Sequence, residues 1–141
     1  MKMNKEDIKK IIPHRDPFLF VDEITDYVPM TYAKGIKKFD ESMDFFKGHF
    51  PEFPVVPGVI LVEAMAQVGA IIVLQHDTYK GRIAFFAGAN KVKFRRKVLP
   101  NDVAVIECSI TKMRGNFGIG FGKIYVDNEL AAEAEVTFAI Q

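Results

Sequence analysis

The feature that most constrains this chain is a run of Val, Ile, Leu, Ala and Met over residues 59–74, interrupted only by Glu63, Gln67 and Gly69. It has no proline and is rich in good helix formers, so residues 59–75 are expected to form one long helix. The apolar side chains of that helix fall on every side rather than along one stripe. A helix of this kind cannot rest on a surface with one face in water and has to be covered all round. The run is also shorter than the roughly 20 apolar residues that a bilayer span needs, so it is a buried element and not an anchor.

The cover has to come from strands, because little else in the chain has helical periodicity. A short first helix is expected after Asn4, an N-cap with Asp7 three residues on; its apolar side is Ile8, Ile11 and Ile12, and Pro13 ends it. Residues 18–27 and 31–39 are rich in β-branched and aromatic types and flank a Pro29-Met30 turn, which reads as a hairpin. One helical turn is expected at 42–46. Beyond the long helix, strands are expected at 82–89, 91–98, 102–113, 116–126 and 129–140, with Arg114-Gly115-Asn116 and Asp127-Asn128 as hairpin turns. The last of these alternates most clearly, with Leu130, Ala132, Ala134, Val136, Phe138 and Ile140 on one face. In the strand before it, Gly118, Gly120 and Gly122 share a face, where missing side chains let another backbone approach or let the sheet curl.

Six or seven strands joined by short antiparallel connections, with one helix that cannot tolerate water, give an α+β fold in which an antiparallel sheet wraps a long central helix. One domain spans residues 1–141. A single sheet face cannot enclose a helix completely, so a second copy of the chain is the expected cover for the remainder, in a two-fold dimer.

Composition excludes several classes. Apolar residues make up 49% and charged residues 26%, which is not the balance of a disordered segment. The formal net charge is +1, so there is no global pull toward nucleic acid or a membrane surface. A single cysteine, Cys108, cannot form an internal disulfide, and the opening residues lack the apolar stretch of a secretory signal, so a cytoplasmic location is expected. No HExxH, CxxC, phosphate-loop or dinucleotide motif occurs, nor a GxSxG elbow; no metal and no cofactor are expected.

Two residues remain that suit chemistry. His49 stands in Gly48-His49-Phe50-Pro51, at the head of a loop pinned by Pro51, Pro54 and Pro57, and an oriented neutral imidazole is a general base. Glu63 is a carboxyl among Leu61, Val62, Ala64 and Met65, and such a group needs a partner or a raised pKa. A carboxyl kept protonated can give its proton to a leaving hydroxyl. Gln67 lies one turn on, on the same face, within hydrogen-bonding reach of Glu63. Gly58 opens the helix, where a backbone N–H and the positive end of the dipole favour negative charge on a carbonyl oxygen. A base, an acid and an oxyanion donor suffice to remove a proton beside a carbonyl and expel a β-hydroxyl.

At these residues the sequence resembles the 3-hydroxyacyl-[acyl carrier protein] dehydratases of bacterial type II fatty acid synthesis, FabZ type. The matching stretches are Ile12-Pro13-His14-Arg15, Pro17-Phe18-Leu19, Val21-Asp22, residues 46–51, Pro57-Gly58-Val59, Glu63-Ala64, Ala66-Gln67, Phe86-Ala87-Gly88 and Lys93-Phe94-Arg95-Arg96. The resemblance implies the hot-dog fold and dimers gathered into hexamers. It implies His49 and Glu63 as a catalytic pair contributed by opposite subunits, with the Gly58 N–H polarising the thioester. Phe50, Pro57, Gln67, Phe85 and Phe86 are the further substrate-binding positions it implies. Glu63 is Asp in the related FabA branch, which also isomerises the double bond; since some Glu-bearing relatives isomerise too, that activity stays open. Phe85 stands where many members of the family have Tyr, so gating of the acyl tunnel here would rest on ring packing. His14, Arg15 and Asp22 match the family and read as structural residues at the entry to the first strand.

The basic run Lys91, Lys93, Arg95 and Lys97 is expected on one strand face, opposite Val92, Phe94 and Val98. It is either a solvated face or a docking patch for the acidic acyl carrier protein; a single-stranded nucleic acid platform is disfavoured because Phe94 faces away. Two other functions compete with dehydration. A hot-dog acyl thioesterase would need no histidine in the proline loop, and a non-catalytic acyl-binding or assembly subunit would have lost His49 or Glu63.

Overall fold

The computed structural model describes residues 2–141. Its longest helix, α3 (Gly58–Leu74), is the buried element expected, and twelve of its residues are fully covered. Two short helices precede it. In α1 (Lys5–Lys9) the Asn4 side chain accepts from Asp7 N–H and the Asp7 carboxylate accepts from Asn4 N–H, a reciprocal cap. The second, α2 (Phe45–Gly48), is the single turn expected near residues 42–46.

Six strands form one antiparallel sheet: β1 (Glu23–Val28), β2 (Tyr32–Lys38), β3 (Ala84–Phe94), β4 (Val103–Arg114), β5 (Phe117–Val126) and β6 (Glu129–Ile140), in the spatial order β1-β2-β4-β5-β6-β3. Helix α3 packs against β2 through β6, so the sheet curls around it in the hot-dog manner. The glycines of β5 explain how closely. All three are buried, and a Cβ on Gly122 would lie 2.7 Å from the Met65 Cβ of α3, so the helix backbone can sit there only because the strand has no side chain.

Three expectations need correction. Residues 82–89 and 91–98 are one strand, β3, with shifts of register at Phe86/Gly88 and Asn90/Lys93; Lys91 takes a positive φ of 53° in the second shift. Strand β3 stops at Phe94, so Lys91, Lys93, Arg95 and Lys97 do not share one strand face as their spacing suggested. Residues 18–22 lie outside β1, because a helix side chain takes up the backbone groups of Phe18 and Phe20. Gln67 Nε2 donates to Phe18 O at 2.9 Å, and Phe20 N–H donates to Gln67 Oε1 at 2.8 Å.

Strand β3 has β6 on one side and, among the described residues, no neighbour on the other, and Phe85, Phe86, Val92 and Phe94 are exposed on it. On α3 the exposed residue is Val59, 75% accessible beside the turn that carries Glu63.

Candidate active site

Glu63, Ala66, Gln67 and Ala70 lie at i, i+3, i+4 and i+7 along α3 and therefore share a face. That face lines a cavity of about 350 Å³, open to solvent and bordered by Pro13, His14 and Phe18 on one side and by Ile83, Ala84, Phe85, Phe86 and Phe138 on the other. The walls are mostly apolar, and the only titratable groups among them are His14 and Glu63. Burial holds the Glu63 carboxyl above the usual carboxylate range, and a hydrogen bond from Gln67 Nε2 to its Oε2 at 2.9 Å partly offsets this. Gln67 thus joins three groups: it steadies Glu63 and fastens the backbone of residues 18 and 20 over the cavity.

His49 follows α2 and is held twice by Val55. Its carbonyl accepts from Val55 N–H at 2.8 Å, and its ring Nδ1 lies 3.1 Å from Val55 O. A carbonyl only accepts, so Nδ1 carries a hydrogen, and in the neutral ring the lone pair is then on Nε2. The ring stacks on Phe50 with centroids 4.1 Å apart.

The chain brings Glu63, Gln67, Phe85 and Phe86 together around one cavity, whereas His49, Phe50 and Pro57 do not line it. Pro57 is the N-cap of α3, and Gly58 borders a separate hollow of about 390 Å³ with Phe94, Arg95 and Lys97. A Cβ on Gly58 would lie 2.6 Å from Phe94 Cζ, so the glycine makes room for that ring as well as opening the helix. No acceptor within the described residues takes the Gly58 N–H, which stays available at the helix start.

The basic residues Lys91, Lys93, Arg95 and Lys97 are all exposed. Arg95 is engaged by Glu133 at 3.3 Å, and Lys97 Nζ sits 6.0 Å from the centre of the Phe53 ring. Cys108 is buried, with its thiol pushed up to about 12, and is unsuited to nucleophilic work. Among the described residues no group of three or more His, Cys, Asp or Glu could hold a metal ion, and no helix is long and apolar enough to cross a membrane. Sequence reasoning missed His14 as a neighbour of Glu63, and Phe18, Ala66, Ala70, Ile83 and Phe138 as cavity walls. The only signal for the two alanines was their helical spacing from Glu63.

Solved structures with the same fold include a dehydratase heterocomplex from Xenorhabdus doucetiae, with a TM-score of 0.78 at 13% identity, covering 95% of this chain and 90% of that one. A hypothetical thioesterase with coenzyme A from Streptococcus pneumoniae has a TM-score of 0.65 at 12% identity, covering 84% of each chain. At such low identity these likenesses speak for the fold alone. The sequence says more: residues 12–135 match the family model of the FabA-like domain. The 3-hydroxyacyl-[acyl-carrier-protein] dehydratase FabZ of Clostridium novyi is 50% identical over 140 residues, 99% of each chain. Its counterpart from Bacillus velezensis is 49% identical over 138 residues, 98% of each. The chain therefore belongs to the FabA-like family, among the 3-hydroxyacyl-[acyl-carrier-protein] dehydratases of the FabZ type.

Proposed function

We propose that the chain is a hydro-lyase that removes water from (3R)-3-hydroxyacyl chains carried on acyl carrier protein, giving the trans-2-enoyl thioester in fatty acid biosynthesis. The observation that carries the reading is Glu63, a carboxyl held above its ordinary range at the wall of an apolar cavity, in a chain half identical to named dehydratases. His49 Nε2 takes the proton from C2 of the substrate. The electron pair of that C–H bond becomes the C2–C3 double bond, and the C3–O bond breaks with its pair leaving on oxygen. That oxygen collects the Glu63 proton and departs as water. Negative charge on the thioester oxygen meets the Gly58 N–H at the positive end of α3. A proton on His49 and a charge on Glu63 remain, and exchange with solvent resets both.

The two groups come from different subunits in this reading, and the assembly is a dimer that gathers into a hexamer. Support lies in the position of His49 away from the cavity that holds Glu63, and in the unpaired edge of β3 with exposed Phe85, Phe86 and Phe94. The carrier protein approaches an exposed basic surface to which Lys91, Lys93 and Lys97 contribute, with Arg95 partly neutralised by Glu133. Phe50, Pro57, Phe85 and Phe86 contact the acyl-pantetheine arm.

The test is turnover of 3-hydroxyacyl and trans-2-enoyl substrates on carrier protein, followed by enoyl absorbance in both directions. His49→Ala and Glu63→Gln are each expected to lose at least a hundredfold in rate, the scale of general acid or base removal, while remaining folded. Release of free thiol in place of enoyl product would make the protein a thioesterase instead.

A further inference from the structure

His14 shares the cavity wall with Glu63, and its Nε2 lies 3.5 Å from Glu63 Oε2. Its other nitrogen, Nδ1, is buried and has no hydrogen-bond partner among the described residues. We propose that His14 is a positioning residue for Glu63: its Nε2–H, together with the Gln67 amide, ties down Oε2 and leaves Oε1 as the oxygen that carries the proton to the substrate hydroxyl. The inference rests on Glu63 being the acid.

A neutral imidazole has one hydrogen to place. On Nδ1 it would be a buried donor with nothing to receive it, and the Nε2 lone pair would face the lone pairs of Glu63 Oε2. On Nε2 it has an oxygen that can accept 3.5 Å away, and only a lone pair is left unsatisfied, the smaller of the two costs. The frame around the ring is rigid. Pro13 precedes it, and the Arg15 guanidinium donates to His14 O at 2.7 Å, Ile12 O at 3.0 Å and Lys9 O at 3.0 Å. Burial and the nearby Arg15 charge both favour the neutral ring. Among the described residues no other titratable side chain lines this cavity: α3 brings Gln67, the residue before β3 is Ile83, and β3 and β6 bring Phe85, Phe86 and Phe138. In the proposed dimer the partner's His49 is the remaining one.

Two donors on Oε2 matter most when Oε1 gives up its proton, because that is when charge appears on the carboxyl group. At 3.5 Å the His14 contact is long, and it shortens as charge develops. His14 therefore favours the transition state over the bound substrate.

The experiment uses the full chain with carrier-bound substrate. His14→Leu fills the space without a donor, while His14→Gln keeps an N–H at a similar reach. The leucine variant is expected to lose about tenfold in kcat with KM changed by less than about twofold, the mark of an interaction made in the transition state. The alkaline limb of its kcat/KM profile should move up by about half a pH unit, since the carboxylate has lost a donor. The glutamine variant should recover most of the rate and return the limb to its place. In the unaltered protein, ¹⁵N chemical shifts of the His14 ring should report hydrogen on Nε2; hydrogen on Nδ1 overturns the proposal whether or not His14→Leu folds. Glu63→Gln is measured alongside. If it is active, the acid reading fails and this inference with it. If it is inactive while His14→Leu keeps wild-type kcat and limb, His14 alone is refuted.

Discussion

Glu63 and His14 are neighbours whose titrations run in opposite senses. Burial raises Glu63, so the folded chain holds that proton more tightly than the unfolded chain does. The stability associated with it is complete below the ordinary carboxylate value of 4.5 and is lost as pH rises toward the folded value. His14 is lowered, so its contribution is complete above the ordinary histidine value of 6.5 and is lost as pH falls through the folded value. Glu63→Gln removes the first effect only. Its Tm should match that of the parent near pH 4 and exceed it by a few degrees at pH 8, on the scale of about 3 °C per kcal/mol for a chain of this size; scanning calorimetry at both values checks this, and an equal Tm at pH 8 contradicts it. Glu63 and Gln67 were legible in the sequence because a carboxyl within an apolar run violates the pattern around it. The His14 contact was not, since it depends on residues 13–20 folding across α3, and the hydrogen bonds that bring them there belong to Gln67.

At the scale of elements, α3 and the sheet meet at glycines with very different room. A methyl on Gly122 runs into the Met65 Cβ, which belongs to the helix itself and cannot rotate away. Gly122→Ala should therefore destabilise by about 1–3 kcal/mol, the usual cost of overpacking, visible as a lower urea midpoint. In contrast, a methyl on Gly69 meets Cys108 Sγ at 3.4 Å, an ordinary contact, and removes a glycine from a helix interior. Gly69→Ala should raise stability by up to about 1 kcal/mol; a fall in its midpoint would show that the interface has less slack than these distances give it. The helix and the last three strands could be placed from periodicity. Strand β3 could not, because two register shifts break its alternation and Lys91 adopts a backbone conformation that β-strand spacing does not anticipate. The segment at 18–22 failed for another reason: its residues are strand formers, but its backbone groups are bonded to a side chain.

For the whole molecule, the need to cover α3 made the wrapped sheet legible from counting alone, while the cavity walls emerged only once distant segments were brought together. If each site joins His49 of one subunit to Glu63 of another, mixing inactive His49→Ala with inactive Glu63→Gln under subunit exchange should restore activity, since one site of each mixed dimer is then whole. A mixture shown to have exchanged that stays inactive excludes the shared site. The arrangement of space in the subunit carries one more consequence. Phe18 lines the cavity that holds Glu63 and also a neighbouring hollow of about 580 Å³ bordered by Phe20, Phe45 and Ile60. Its ring leans edge-on against Phe20 with centroids 4.8 Å apart, so one side chain borders both spaces. If the acyl tail of the proposed substrate lies along the Glu63 cavity, Phe18→Ala removes the ring shared by the two spaces and lets a longer tail continue into the second. The preferred acyl length should lengthen when homologous substrates are compared, whereas an unchanged preference would mean that the tail turns away before it reaches the wall.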